Sequence, residues 1–100
     1  MIGTNQEENF GVCLDLAHAY LSELPLTEWV DELSPYIKHI HINDNDKKQD
    51  LHLPVGSGSL DWSILKSEKL MAASPSMLIE VTGKEKLMKS IDYLKSVAFL

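Results

Sequence analysis

The sequence is short of the features that mark several protein classes. It contains one cysteine, Cys13, in 100 residues, so no internal disulfide framework is possible. No apolar run approaches the roughly 18 residues of a membrane span. The opening Met1 to Asn9 lacks the basic and apolar blocks of an export signal. A lone thiol without such a signal leads us to expect a reducing cytoplasm and no membrane partner. Cations are scarce too: 9 Lys and Arg against 15 Asp and Glu leave a formal net charge of −6. Nucleic-acid binders draw much of their affinity from cations displacing phosphate counterions, so this balance argues against a general one. Neither a linker nor a low-complexity stretch interrupts the chain, and one domain over residues 1–100 is expected.

What the chain does have is an alternation of strand-like and helix-like segments. Phe10 to Leu16 is a nearly continuous apolar run and reads as a strand buried on both faces. His18 to Leu24 reads as a short helix stopped by Pro25, and Thr27 as the cap of a second helix presenting Trp29, Val30 and Leu33. Tyr36 to Asn43 is the clearest strand, its isoleucines alternating with histidines. Asp44 to Ser59 is a loop of unusual length, a common home for function. Asp61 is placed to cap a helix from Trp62 to about Ala72. Ser76 to Val81 reads as a third strand, followed by a helix with Leu87, Met88, Ile91, Leu94 and Lys95 at core spacing. The order strand, helix, strand, helix, strand, helix predicts an α/β fold of three parallel β/α units.

Parallel strands open their C-terminal ends on one side, where active sites of β/α folds collect. Each predicted strand delivers a metal-capable residue there: Asp15 with His18, then His41, then Glu80. The long loop adds Asp50 and His52. Singly, each has an ordinary reading as a cap, a core histidine or a solvated loop residue, and His39 reads as a hydrogen-bonded core histidine. Glu80 is harder to place that way, because it follows Met77-Leu78-Ile79 in a strand expected to be buried, where an unpaired charge is costly. Cys13 reads as a buried, inert thiol. Gly56-Ser57-Gly58-Ser59 reads either as an anion cradle of backbone N–H groups or as a tight turn into the next helix.

Four segments carry a family resemblance: Gly11 to Ala19, His39 to Asp44, Asp50 to Trp62 and Leu78 to Glu80. In this order they resemble the closing part of the xylose isomerase-like TIM barrels, whose members include sugar-phosphate isomerases and epimerases and zinc-dependent apurinic/apyrimidinic endonucleases. The match runs from about residue 10 to 100. It implies the last three strands of a (β/α)8 barrel, an incomplete barrel, because eight strands take about 250 residues. It also implies a divalent metal (manganese, magnesium, cobalt or zinc) held by Asp15, His41 and Glu80, with His18, Asp50 and His52 as additional ligands. Glu80 and His18 are then the catalytic candidates.

The resemblance favours a metal-dependent sugar or sugar-phosphate isomerase or epimerase, moving a proton through an enediolate on a small sugar or polyol in intact relatives. The alternatives are an abasic-site endonuclease, the reading under which nucleic acid is a partner, and a noncatalytic truncated remnant that self-associates. Three strands cannot close a barrel. Two open sheet edges and an apolar inner face are therefore expected, covered by a second copy or by a missing barrel half.

Overall fold

The structure, a computed structural model, describes residues 11–99. Phe10, where the first strand was expected to begin, lies outside the described residues. Strands β1 (Val12–Asp15), β2 (Ile37–Ile42) and β3 (Ser76–Ile79) form one parallel sheet in the order β1-β2-β3. Helices α1 (Leu16–Leu21), α2 (Leu26–Leu33), α3 (Glu68–Ala73) and α4 (Lys84–Ser96) follow the strands. The expected three parallel β/α units are present. Among the described residues no helix is long and apolar enough to cross a membrane.

A register shift sets which side chains face the core. Val12 pairs with Ile37 but Cys13 with His39, so β2 spends one extra residue, Lys38, opposite β1. That bulge lets Ile37 share a face with Ile40 and Ile42, all at most 2% exposed. They pack with Leu14, Leu16, Val30, Trp62, Leu65 and Leu70. His39 and His41 are left on the opposite face, across from Cys13 and Asp15 on one side and Ser76 and Leu78 on the other. A β-carbon at Gly11 would overlap the Lys38 side chain, so glycine makes room for the bulge.

Several element boundaries differ from the sequence reading, each for a local reason. Helix α1 starts at once after β1, because Asp15 both ends the strand and caps the helix by accepting the His18 N–H at 3.0 Å. Thr27 caps nothing: the Pro25 carbonyl accepts from the N–H groups of Glu28 and Trp29 and starts α2 ahead of it. Asp61 does cap, accepting the Ser63 N–H, but the turn it starts is a 3-10 segment, Trp62–Lys66. Ser67 is extended and caps α3 afresh, so the single helix expected there is two. Edge strand β3 is not buried, since Met77 and Leu78 are 36% and 48% exposed. Helix α4 docks through its second half, where Ser90 and Leu94 are buried while Leu87 and Met88 stay exposed. Among the described residues the uncovered sheet face is largely polar rather than apolar, with Leu78 its one large hydrophobic side chain.

The long loop is organised by a buried carboxylate. Asp44 is fully buried. Its Oδ1 accepts the N–H groups of Asn45 (2.9 Å) and Leu60 (3.1 Å), and its Oδ2 accepts those of Gly56 (3.0 Å) and the Trp62 indole (2.8 Å). Its backbone exchanges two further hydrogen bonds with Leu53. Both glycines of the Gly56–Ser59 segment are needed for this wrap. A β-carbon at Gly58 would overlap the Asp44 carboxylate, and one at Gly56, which sits at φ +92°, would overlap the Tyr93 ring. The anion held by this turn is therefore the chain's own Asp44. From the far side, buried Ser90 accepts the Val55 N–H at 3.0 Å.

Replacing Asp44 by alanine leaves four donors without their acceptor. At about 1–3 kcal/mol for each buried group stranded, Asp44→Ala should destabilise the chain by at least about 3 kcal/mol in urea unfolding. Asp46→Ala, which removes only exposed local hydrogen bonds, should have a much smaller effect. Equal effects would contradict the keystone role of Asp44.

Candidate metal centre

The parallel strands place Asp15, His41 and the residue after β3, Glu80, at one rim. The ladder continues one step beyond β3, with the Glu80 N–H donating to the Ile42 carbonyl at 2.9 Å, and this fixes Glu80 beside His41. One ligand atom from each of Asp15, His41 and Glu80 lies within 4.8 Å of the others. His18, Asp50 and His52 meet the same criterion as a second trio. The structure thus brings together all six candidate residues read from the sequence.

Contacts between the trios alternate acid and imidazole. Asp15 Oδ2 lies 3.3 Å from His18 Nδ1, and His18 Nε2 lies 2.7 Å from Asp50 Oδ2. Asp50 Oδ1 is 3.2 Å from His52 Nε2, whose Nδ1 is 3.6 Å from Glu80 Oε1. Glu80 Oε2 closes on His41 Nδ1 at 2.7 Å. Asp15-x-x-His18 is a capping interval: the carboxylate that takes the His18 backbone N–H also meets its ring. His52 holds a left-handed backbone at φ +50°, uncommon outside glycine but a conformation histidine takes more readily than most residues. The Asp44-anchored loop imposes that turn on the His52 backbone.

Three carboxylates therefore crowd together with no lysine among them. Among the described residues the lysine ion pairs lie elsewhere, at Lys69–Asp31 and Lys89–Glu85. Oxygen and imidazole donors gathered around uncompensated negative charge suit a divalent ion of the magnesium, manganese, cobalt or zinc type. Asn43 adds a polar atom in need of a partner. It is fully buried, its amide nitrogen lies 3.3 Å from His52 Nδ1, and its Oδ1 has no hydrogen-bond partner. The donor set fits a metal ion. Beside it, His52, Glu80, Val81 and Thr82 line an open cleft of about 450 Å³.

Two sequence expectations need correction here. Cys13 is exposed, not buried, because nothing among the described residues covers the sheet face on which it stands. Glu80 does not stand in a buried strand; its side chain is 37% exposed, and its role rests on position rather than on burial cost. Asn43, Asp44 and Ser76 were missed. The Asn43-Asp44-Asn45-Asp46 run has turn composition, and only the tertiary partners of Asp44 distinguish it. His39 is half-buried and bonded through Nδ1 to Ser76 Oγ at 2.6 Å.

The hydrogen bond to Asp50, helped by the charges of Asp15, Asp50 and Glu80 and opposed by slight burial, raises the His18 pKa above its ordinary 6.5. The same hydrogen bond holds Asp50 below its ordinary 3.8. A raised histidine stabilises the fold fully below 6.5 and loses that contribution as pH rises through its folded value. A lowered aspartate contributes fully above 3.8 and loses it as pH falls through its folded value. The pair therefore supports the fold best between these limits, by less than about 1 kcal/mol because both groups are solvent-screened. In NMR titration of metal-free protein, His18 should titrate above 6.5, and Asp50→Asn should bring it back toward 6.5. A wild-type value at or below 6.5 would contradict the geometry.

Comparison with known proteins bears on the family and the fold. The family described as xylose isomerase-like TIM barrel matches residues 1–97. An uncharacterized protein of Methanocaldococcus jannaschii, MJ1614, is 33% identical over 95 residues, covering 90% of this chain and 37% of its own. A second from the same organism, MJ1311, is 29% identical over 92 residues, covering 88% and 31%. The crystal structure of a D-tagatose 3-epimerase-like protein superposes with a TM-score of 0.77 at 28% identity, covering 91% of this chain and 35% of that one. The chain spans about a third of the length of these relatives. With three parallel β/α units and an acid–imidazole rim at their C-terminal ends, the chain belongs to the xylose isomerase-like TIM barrel family.

Proposed function

We propose that this chain supplies the metal-holding rim of a sugar isomerase or epimerase. The observation that carries the reading is the continuous run of three carboxylates and three imidazoles, from Asp15 to His41, beside the cleft at Glu80. Asp15, His41 and Glu80 would hold a divalent ion, and His18, Asp50 and His52 a further one or the first ion's surroundings. A bound divalent ion polarises neighbouring hydroxyl and carbonyl oxygens of a sugar or polyol. Glu80, lining the cleft, takes the proton from the carbon beside the carbonyl and returns it. His18, its ring 57% exposed, would steady a substrate oxygen by exchanging its longer, 3.3 Å contact with Asp15 for it. The open edges of β1 and β3 are where further β/α units, in this polypeptide or in a second copy, would continue the pocket wall.

Hydrolysis of an abasic-site phosphodiester is a second reading, supported by the separate His18–Asp50–His52 trio as a place for another ion. It ranks lower because the chain has no arginine to bind phosphate. Lys47, half of the loop's basic pair, is committed to the Tyr20 carbonyl at 2.6 Å and to its ring.

Manganese binding read by electron paramagnetic resonance should weaken more than about tenfold on Asp15→Asn or Glu80→Gln. With metal present, a ketohexose panel in heavy water should gain deuterium at the carbon beside the carbonyl, and Glu80→Gln should abolish the exchange. Unchanged manganese affinity in both variants would remove the proposal's basis. Incision of an abasic duplex without sugar exchange would favour the second reading.

A further inference from the structure

One cluster of ligand atoms shares only His41 with the proposed site. Cys13, His39 and His41 each offer an atom within 4.8 Å of the others. Cys13 and His39 are direct register partners, as Asp15 and His41 are, so this cluster lies one layer nearer the strand N-termini, roughly 6–7 Å along the sheet. The positions are set by hydrogen-bonded strands rather than by loops, a rigid base for a small coordination site.

Hydrogen bonding assigns the free lone pairs. Ser76 Oγ lies 2.6 Å from His39 Nδ1 and 3.3 Å from the Lys38 carbonyl, so a hydroxyl turned to that carbonyl accepts from His39 Nδ1–H. His39 Nε2 is left with its lone pair. Glu80 Oε2 lies 2.7 Å from His41 Nδ1, and a neutral ring that donates Nδ1–H there keeps its Nε2 lone pair. A carboxylate or hydroxyl holding the far nitrogen of an imidazole is the usual outer support of a metal-binding histidine. The two rings stand perpendicular with centroids 4.9 Å apart, and Cys13 is exposed to incoming ions.

We propose that Cys13, His39 and His41 form a separate site for a thiophilic transition-metal ion, competing with the carboxylate trio for His41. One sulfur and two imidazole donors select zinc-like or softer ions, and a fourth position stays open. A hard ion bound by Asp15 and Glu80 and a thiophilic ion bound by Cys13 and His39 both draw on the one His41 ring. A neutral imidazole carries one hydrogen and serves one of them at a time. The inference stands on Cys13 and His39 and does not depend on the catalytic reading.

Cobalt(II) is the probe, because a thiolate ligand adds a near-ultraviolet charge-transfer band that oxygen and nitrogen ligands alone do not. Titration of the chain with cobalt(II) should produce that band. Cys13→Ser should abolish it, and His39→Ala should weaken its apparent affinity by more than about a hundredfold. Ser76→Ala should cost about 10–100-fold, the usual penalty for losing an outer-shell partner. Asp15→Asn, which disables the carboxylate trio, should keep the band, and circular dichroism checks that each variant folds. No band in the wild type, or a band of unchanged affinity in His39→Ala, would overturn the site. Either result would leave manganese binding at Asp15 and Glu80 standing.

Discussion

The buried Asp44 carboxylate is the interaction on which the site depends. A charge with no exposed surface is tolerated only when its oxygens are filled, and here four donors from Asn45, Gly56, Leu60 and Trp62 fill them. Those donors span both ends of a long loop, so satisfying one side chain fixes the whole excursion. The loop then has to come back across the strand ends, carrying Asp50 and His52 to the rim that Asp15, His41 and Glu80 already occupy. Loop order and site geometry thus share a cause.

The rim is an electrostatic problem that the chain alone only partly solves. Three acids and three imidazoles in alternation relieve one another through charge-assisted contacts, and His18 shares in that relief by moving toward its cationic form. No lysine contributes. Such an arrangement holds together without a ligand and still favours a cation, as the proposed metal site requires. One layer below, sulfur and imidazole replace oxygen, and the chemistry of the favoured ion changes with them.

The part of this that was legible in the sequence followed from strand periodicity. His39-Ile40-His41-Ile42 alternates cleanly, and a parallel order puts Asp15, His41 and Glu80 at one end without further information. Asp50 and His52 were readable as metal-capable loop residues free to turn back to the rim, but what brings them there was not, since it depends on Asp44 bonding partners up to eighteen positions ahead. The bulge at Lys38 was hidden because the alternation after it is regular. Cys13 and Glu80 were assigned to buried strands on apolar composition. Burial also depends on what lies across the sheet, and composition cannot show that β3 is an edge or that the histidine face is open.

The central claim is that Asp15, His41 and Glu80 grip a single divalent ion. Diffraction from manganese-loaded crystals, collected at a wavelength where manganese scatters anomalously, tests it most directly. The account predicts an anomalous peak within about 2.0–2.6 Å of an oxygen of Asp15, an oxygen of Glu80 and a nitrogen of His41, the range of metal–ligand bonds to such donors. A peak bound elsewhere on the chain, with these three side chains still paired only to one another, would contradict it.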